Sequence, residues 1–165
     1  MILGLSGKAG SGKDTMADFL VTRYGFEKAS FAYALKSLCR NLGWDGQKDE
    51  AGRKLLQDLG SVLRAYDKDF WLKPVVSYIT KNPHKHIVIT DVRHINEAQA
   101  VKNMGGKLIR VDRENAYKMG ILQQHESELA LDRYTEFDKV IYNDGGFDEF
   151  FSSAIEFVSP YLNTK

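Results

Sequence analysis

Ten residues near the start of the chain constrain it more than any other stretch: Ser6-Gly7-Lys8-Ala9-Gly10-Ser11-Gly12-Lys13-Asp14-Thr15. Before it, Ile2-Leu3-Gly4-Leu5 is a short apolar run suited to a buried strand. After it, Met16, Phe19, Leu20 and Tyr24 fall at helical spacing. The order is strand, glycine loop, helix, which is the context that gives a phosphate-loop motif its meaning. Gly7, Gly10 and Gly12 let the backbone turn tightly and bring bare N–H groups toward phosphate oxygens. The helix N-terminus adds unpaired donors and a positive dipole end at the same place. Lys13 then carries a mobile ammonium to the β- and γ-phosphates, where charge must be neutralised during transfer. The phosphate-binding set is read as Gly7, Lys8, Ala9, Gly10, Ser11, Gly12, Lys13, Asp14 and Thr15.

One position departs from the general motif. Where a Ser or Thr hydroxyl normally follows the loop lysine to bind Mg²⁺, this chain has Asp14, with Thr15 next. A carboxylate beside phosphates is repelled unless a cation or a basic side chain lies between them. The Gly-Lys-x-Thr order resembles nucleoside monophosphate kinases. Gly12-Lys13-Asp14-Thr15 looks most like the deoxynucleoside monophosphate kinases of bacteriophages. Animal phosphomevalonate kinases have a similar Gly-Lys-Asp opening. The resemblance implies a P-loop kinase fold, ATP as phosphoryl donor, and Mg²⁺ handled by Asp14, Thr15 and a further acidic residue, partly through water.

A chain of 165 residues is long enough for one domain with a sizeable core. Its 23 basic and 22 acidic residues give no reason to expect polymeric nucleic acid or an anionic membrane as partner. Cationic character must therefore be local. The single Cys39, at helical spacing beside Leu38 and Leu42, excludes an internal disulfide, fits a reducing cytoplasm and reads as a core thiol. No apolar run approaches the ~20 residues of a membrane span, and the N-terminus reads as a first strand rather than a signal peptide. The expected setting is the cytoplasm, that of the host if the chain is phage-encoded. Oligomeric state, a homodimer included, stays open.

Strand-like runs appear at 2–6, 86–90, 107–111 and 139–142, with a shorter one at 27–31, and long helical patterns separate them. This alternation predicts an α/β domain, a parallel sheet of about five strands with helices on both faces. Ligands of such sheets sit at the carboxyl ends of the strands, so the residues just after each strand are the ones to read for chemistry.

The helical region at about 31–80 reads as the acceptor side. Ser30-Phe31-Ala32-Tyr33-Ala34-Leu35-Lys36 resembles the family's Phe-Ala-x-Pro-Leu-Lys, with Ala34 in place of the proline. Leu35 and Leu38 read as core, while Lys36 reads equally as an acceptor-phosphate contact and as a solvated lysine. Leu55, Leu56, Leu59, Val62 and Leu63 make the apolar side of a helix over 50–66, with Arg53, Gln57 and Arg64 on another side. The stretch from Leu55 to Trp71 resembles the family segment that lines the acceptor site. That implies close approach at Gly60, and Arg53 and Arg64 holding the monophosphate, to which a guanidinium fork is suited. Phe70 and Trp71 read as core packing, with base stacking as the alternative.

The run at 86–90 leads into Asp91-Val92-Arg93 and Asn96-Glu97-Ala98, a second close match to the family. Asp91 is assigned to Mg²⁺ or acceptor positioning, the alternative being an N-cap of the next helix. Arg93 is assigned to the acceptor phosphate. Residues 113–128 read as a short lid that keeps water from the transferring group, with Arg113 against the adenine or the phosphates. His125-Glu126-Ser127-Glu128 matches the family's His-x-Ser-Glu pattern, which implies positioning or lid-closing roles for His125, Ser127 and Glu128. The four histidines lack metal-ligand spacing. Asn143 and Gly145, in the turn after 139–142, are expected against the adenine, mostly through backbone groups.

These readings predict transfer of the γ-phosphoryl group of Mg-ATP to a (deoxy)nucleoside 5′-monophosphate. Lys13, Asp91, Arg93 and Arg113 are the catalytic set, acting mostly by positioning and charge neutralisation. The alternatives are a kinase for another phosphorylated small molecule, such as phosphomevalonate, and a nucleotide-binding or hydrolysing module. No Asn-Lys-x-Asp guanine motif supports a switch.

Overall fold

The computed structural model describes residues 1–114 and 129–162. Strand β1 (Ile2–Ser6) passes through the glycine loop into helix α1 (Lys13–Tyr24), followed by β2 (Glu27–Ala29), α2 (Ala32–Asn41), α3 (Glu50–Tyr66) and α4 (Leu72–Lys81). Then come β3 (Ile87–Ile89), α5 (Ile95–Asn103), β4 (Lys107–Asp112), β5 (Lys139–Tyr142) and α6 (Phe147–Leu162). The five-stranded sheet has the order β2-β3-β1-β4-β5. Strand β1 pairs in parallel with β3 and β4, and β4 with β5. The strand that feeds the glycine loop is thus central, between two strands that come much later in the chain. The carboxyl ends of β1, β3 and β4 open on one edge of the sheet, which is where such folds bind ligands. No helix among the described residues is long and apolar enough to cross a membrane.

Contacts divide the chain into two compact units, Met1–Lys28 with His84–Lys165, and Ala29–Pro83. In the first unit, Leu3, Leu5, Ile109 and Val111 pack on Met16 and Leu20 of α1 and on Phe150, Ala154 and Val158 of α6. Side chains alternate across a strand, and the space over Gly4 is filled from the other face by Val92, Val101 of α5 and Leu108. Both faces of the sheet are therefore covered. Strand β5 lies at the edge, so only Ile141 is buried while Val140 and Tyr142 reach solvent.

In the second unit, Leu35, Cys39 and Trp71 are buried together, with Leu56, Leu59, Leu63 and Phe70 packed against them. The thiol of Cys39 is free and buried. Helix α3 begins where Asp49 accepts a hydrogen bond from the Gly52 N–H at 2.8 Å, an N-cap of the ordinary kind. The apolar pattern over-read this helix. Leu55 and Val62 are exposed, Val62 at 64%, because each lies one residue, about 100°, round the helix from the packed Leu56 and Leu63. Leu38 is likewise more exposed than its pattern suggests, since α2 buries the line through Leu35 and Cys39.

Candidate active site

The glycine loop leaves β1 at Ser6, and its backbone explains its composition. Gly7 and Gly12 have φ of 140° and 106°, a region that side chains avoid. A Cβ at Gly7 would collide with the Val111 backbone oxygen, and one at Gly12 with the side-chain amide of Asn143. The loop is held from outside. Asn143 donates from its backbone N–H to the Asp112 oxygen at 2.8 Å and from Nδ2 to the Ser11 oxygen at 2.9 Å. The turn after β5 therefore holds the loop through a side chain as well as its backbone.

Lys13 opens α1 and folds back over the loop. Its Nζ donates to the Gly7 and Lys8 carbonyls at 2.6 and 2.7 Å and to Ser11 Oγ at 3.4 Å. Burial, then the Arg93 guanidinium, push its pKa down to about 8, against the opposing pull of Asp14 and Asp91. The ammonium is thus pre-desolvated and surrounded by oxygen acceptors, a place where phosphate oxygens would serve it better than carbonyls do.

An open cleft of about 520 Å³ runs past this loop, lined by Gly12, Lys13, Thr15, Arg113, Asn143 and Gly145 among others. Exposed Asp14 and Ala9 flank it or lie beside it on the loop. The cleft wall also includes Phe147, 67% exposed and stacked on Phe151 at 5.8 Å, which the sequence pattern did not single out. A smaller pocket is lined by Ser6, Gly7, Lys8, Arg93, Arg110 and Asp132 among others. Lys8 Nζ pairs with Asp132 Oδ2 at 2.7 Å, and Arg110 reaches both Asp112 and Asp132. Neither Arg110 nor Asp132 stood out in sequence as a site residue.

Asp91 and Arg93 follow β3 at the same edge. Helix α5 is capped by His94, not by Asp91, so the N-cap alternative for Asp91 does not hold. The buried carboxylate of Glu97 accepts from the backbone N–H groups of Arg93 at 2.7 Å and His94 at 3.0 Å. It fixes the turn that presents Arg93, the back half of a capping box.

Comparison with known proteins decides the family. Residues 39–154 match the family model described as deoxynucleotide monophosphate kinase. The chain belongs to the deoxynucleotide monophosphate kinase family. A candidate deoxynucleotide monophosphate kinase of Acanthamoeba polyphaga mimivirus is 34% identical over 193 residues, covering 96% of this chain and 96% of that one. The deoxynucleotide monophosphate kinase of Escherichia phage RB69 is 31% identical over 106 residues, which cover 61% of this chain and 41% of the phage protein. The shikimate kinase of Aquifex aeolicus shares the fold, with a TM-score of 0.56 at 15% identity over 100% of both chains. These likenesses carry the nucleotide side of the resemblance; the phosphomevalonate side rests on the Gly-Lys-Asp opening alone.

The remaining residues divide between the second unit and the stretch outside the described residues. Lys36 is half-buried on α2, Arg53 is exposed near the start of α3, and Arg64 is half-buried in its last turn. The side chain of Arg64 lies over Gly60, whose Cβ would sit 3.5 Å from Nη1. Gly60 also supplies the carbonyl that accepts from the buried Trp71 indole at 3.2 Å, so Trp71 is core. Eleven residues separate Arg53 from Arg64, about 16 Å along a helix. His125, Ser127 and Glu128, and all of the expected lid except Arg113 and Glu114, lie outside the described residues.

Proposed function

We infer that this chain transfers the γ-phosphoryl group of ATP to the 5′-phosphate of a deoxynucleoside monophosphate. The observation that carries the reading is the desolvated Lys13, folded over a glycine loop that lines an open cleft together with the start of α1. Family membership narrows the chemistry to nucleotide monophosphates. ATP phosphates lie along residues 7–15, and the adenine lies toward Arg113, Asn143 and Gly145. In the first unit Arg93 takes the acceptor phosphate, and Arg64 is the acceptor-binding arginine of the second.

Lys13 exchanges its carbonyl partners for phosphate oxygens and follows the charge that develops between the β- and γ-positions. Arg93, held by Glu97, orients the acceptor oxygen for in-line attack. That oxygen is already anionic, so no side chain has to remove a proton. Among the described residues no group of three or more His, Cys, Asp or Glu could hold a metal unaided. Asp14 and Asp91 both bear on Lys13 electrostatically, and with Thr15 they fit Mg²⁺, which takes one or two carboxylates plus substrate phosphates and water. When bound, the ion supplies charge neutralisation between the β- and γ-phosphates. The host cytoplasm, where nucleotides are made, is the setting this reading implies.

The test is a coupled ADP-release assay with Mg-ATP against deoxynucleoside and ribonucleoside monophosphates, phosphomevalonate and a no-acceptor control. Release with deoxynucleotides supports the reading. Release with phosphomevalonate alone would overturn the acceptor, and equal release without acceptor would make the chain an NTPase.

A further inference from the structure

Lys8 is a lysine of the phosphate loop that is only 7% exposed. A buried ammonium requires an anion, because an uncompensated one costs several kcal/mol. Here that anion is Asp132, 2.7 Å from Nζ, whose other oxygen lies 3.3 Å from Arg110 Nη2. Arg110 is further held by Asp112 through Nε and by the Leu131 carbonyl, and Arg93 lines the same pocket. The pocket therefore gathers Lys8, Arg93 and Arg110 against Ser6 and Gly7, with Asp132 as its lining carboxylate among the described residues. A phosphate dianion, with three acceptor oxygens, matches these three side chains better than the two oxygens of Asp132 do.

The partners also differ in mobility. Lys8 and Arg110 are fixed, one in the loop and one in the central part of the sheet, with side chains 9% and 12% exposed. Asp132 is 37% exposed in its side chain and sits in a turn closed by its own N–H to the Leu129 oxygen, so rotation of its side chain alone withdraws it.

We propose that Asp132 is an internal counter-ion that fills a phosphate seat between Lys8, Arg93 and Arg110 in the nucleotide-free chain and is displaced when a nucleotide phosphate arrives. The proposal rests on the kinase reading above and adds a competing anion to its phosphate site. Asp132 is a positioning residue in this scheme: it keeps the seat assembled and its cations compensated until substrate takes over. Two anions that exclude each other are negatively coupled, so removing one charge strengthens binding of the other.

Asp132→Asn keeps the shape and removes the charge. With inorganic tripolyphosphate as probe, calorimetry is expected to show binding at least about fivefold tighter than wild type, the lower range of such couplings. The unliganded variant should melt lower than wild type and gain more from the probe. A purely structural ion pair would lower the melting point but leave the affinity unchanged. Unchanged or weaker binding overturns the proposal. Should the single variant not fold, the same step in a Lys8→Gln background removes the buried ammonium as well. Arg93 and Arg110 remain there, so binding should still tighten, and no tightening overturns the proposal equally. Wild-type turnover of deoxynucleotides, measured alongside, separates the two readings. Tightening without turnover sinks the kinase reading alone, and turnover without tightening sinks the displaced carboxylate alone.

Discussion

The side-chain amide of Asn143 donates to the backbone oxygen of Ser11 at 2.9 Å, across 132 residues of sequence. It is the tie between the turn after β5 and the phosphate loop, so the loop's shape depends on a residue near the other end of the chain. Asn143→Ala removes one neutral hydrogen bond, worth about 1 kcal/mol. The expected result is a KM for ATP raised about fivefold, with the acceptor KM little changed. Equal effects on both substrates would mean that the tie supports the fold and not the donor site.

Gly12→Ala tests the same contact from the other side. The new methyl group meets the Asn143 amide, and the residue must hold a φ of 106°, a strain of about 1–3 kcal/mol. Urea unfolding should show a loss of that order, and ATP should no longer protect the variant against thermal unfolding. Retained protection would show that the loop can relax around a side chain.

Lys13 gives a pH signature. Its pKa in the free protein is lowered to about 8 from 10.5 by burial first and then by Arg93. Above that pH the ammonium is lost, so kcat/KM for ATP should fall tenfold per unit, since this ratio reports the free enzyme. Bound phosphates favour the charged form, and kcat itself should hold to higher pH. The sign for stability is opposite to that of a favourably paired lysine. Between about pH 8 and 10.5 the unfolded chain binds more protons than the folded one, so the free protein gains stability as pH rises through this window. Lys13→Ala should cost at least about two orders of magnitude in turnover and abolish the limb near pH 8.

What was legible in the sequence was whatever chemistry is local. Glycine spacing, a short apolar run and a helical period placed β1, the loop and α1, and runs of β-branched residues placed β3, β4 and β5. Among the expected site residues, Arg93 lines the pocket at Lys8 and Arg113 lines the cleft. Pairings set by tertiary contact were not legible. Lys8 and Asp132 are 124 residues apart, and nothing in either neighbourhood announces the other. Arg110 was not singled out, although a cation inside an otherwise buried strand was the available signal. Leu55 and Val62 misled because an apolar residue on a helix flank has the same letter whether or not a neighbour covers it.

Glu97 is a case where a motif was visible and its work was not. Its buried carboxylate accepts from the N–H groups of Arg93 and His94. Glu97→Ala leaves both donors without that partner, at a cost of about 1–3 kcal/mol. Urea unfolding should show that loss. The acceptor KM should also rise about tenfold, because Arg93 is presented by the turn that Glu97 fixes. A stability loss with both KM values unchanged would confine Glu97 to capping.

Arg53 and Arg64 are both expected holders of the acceptor phosphate, and their exposure ranks them. They stand about 16 Å apart along α3, and their burial differs. Arg64 is half-buried with its guanidinium over Gly60, while Arg53 is exposed. A partly desolvated fork binds phosphate more strongly than a solvated one, which ranks Arg64 above Arg53 for the dianion. Arg64→Ala should therefore raise the monophosphate KM by about tenfold to a hundredfold, the worth of a charged hydrogen-bonded pair, with ATP binding unaltered. Arg53→Ala should change it less than about threefold, as for an exposed ion contact. Steady-state kinetics with the acceptor varied at saturating ATP distinguishes them. The reverse ranking would move the acceptor phosphate to the start of α3 and overturn the assignment of Arg64.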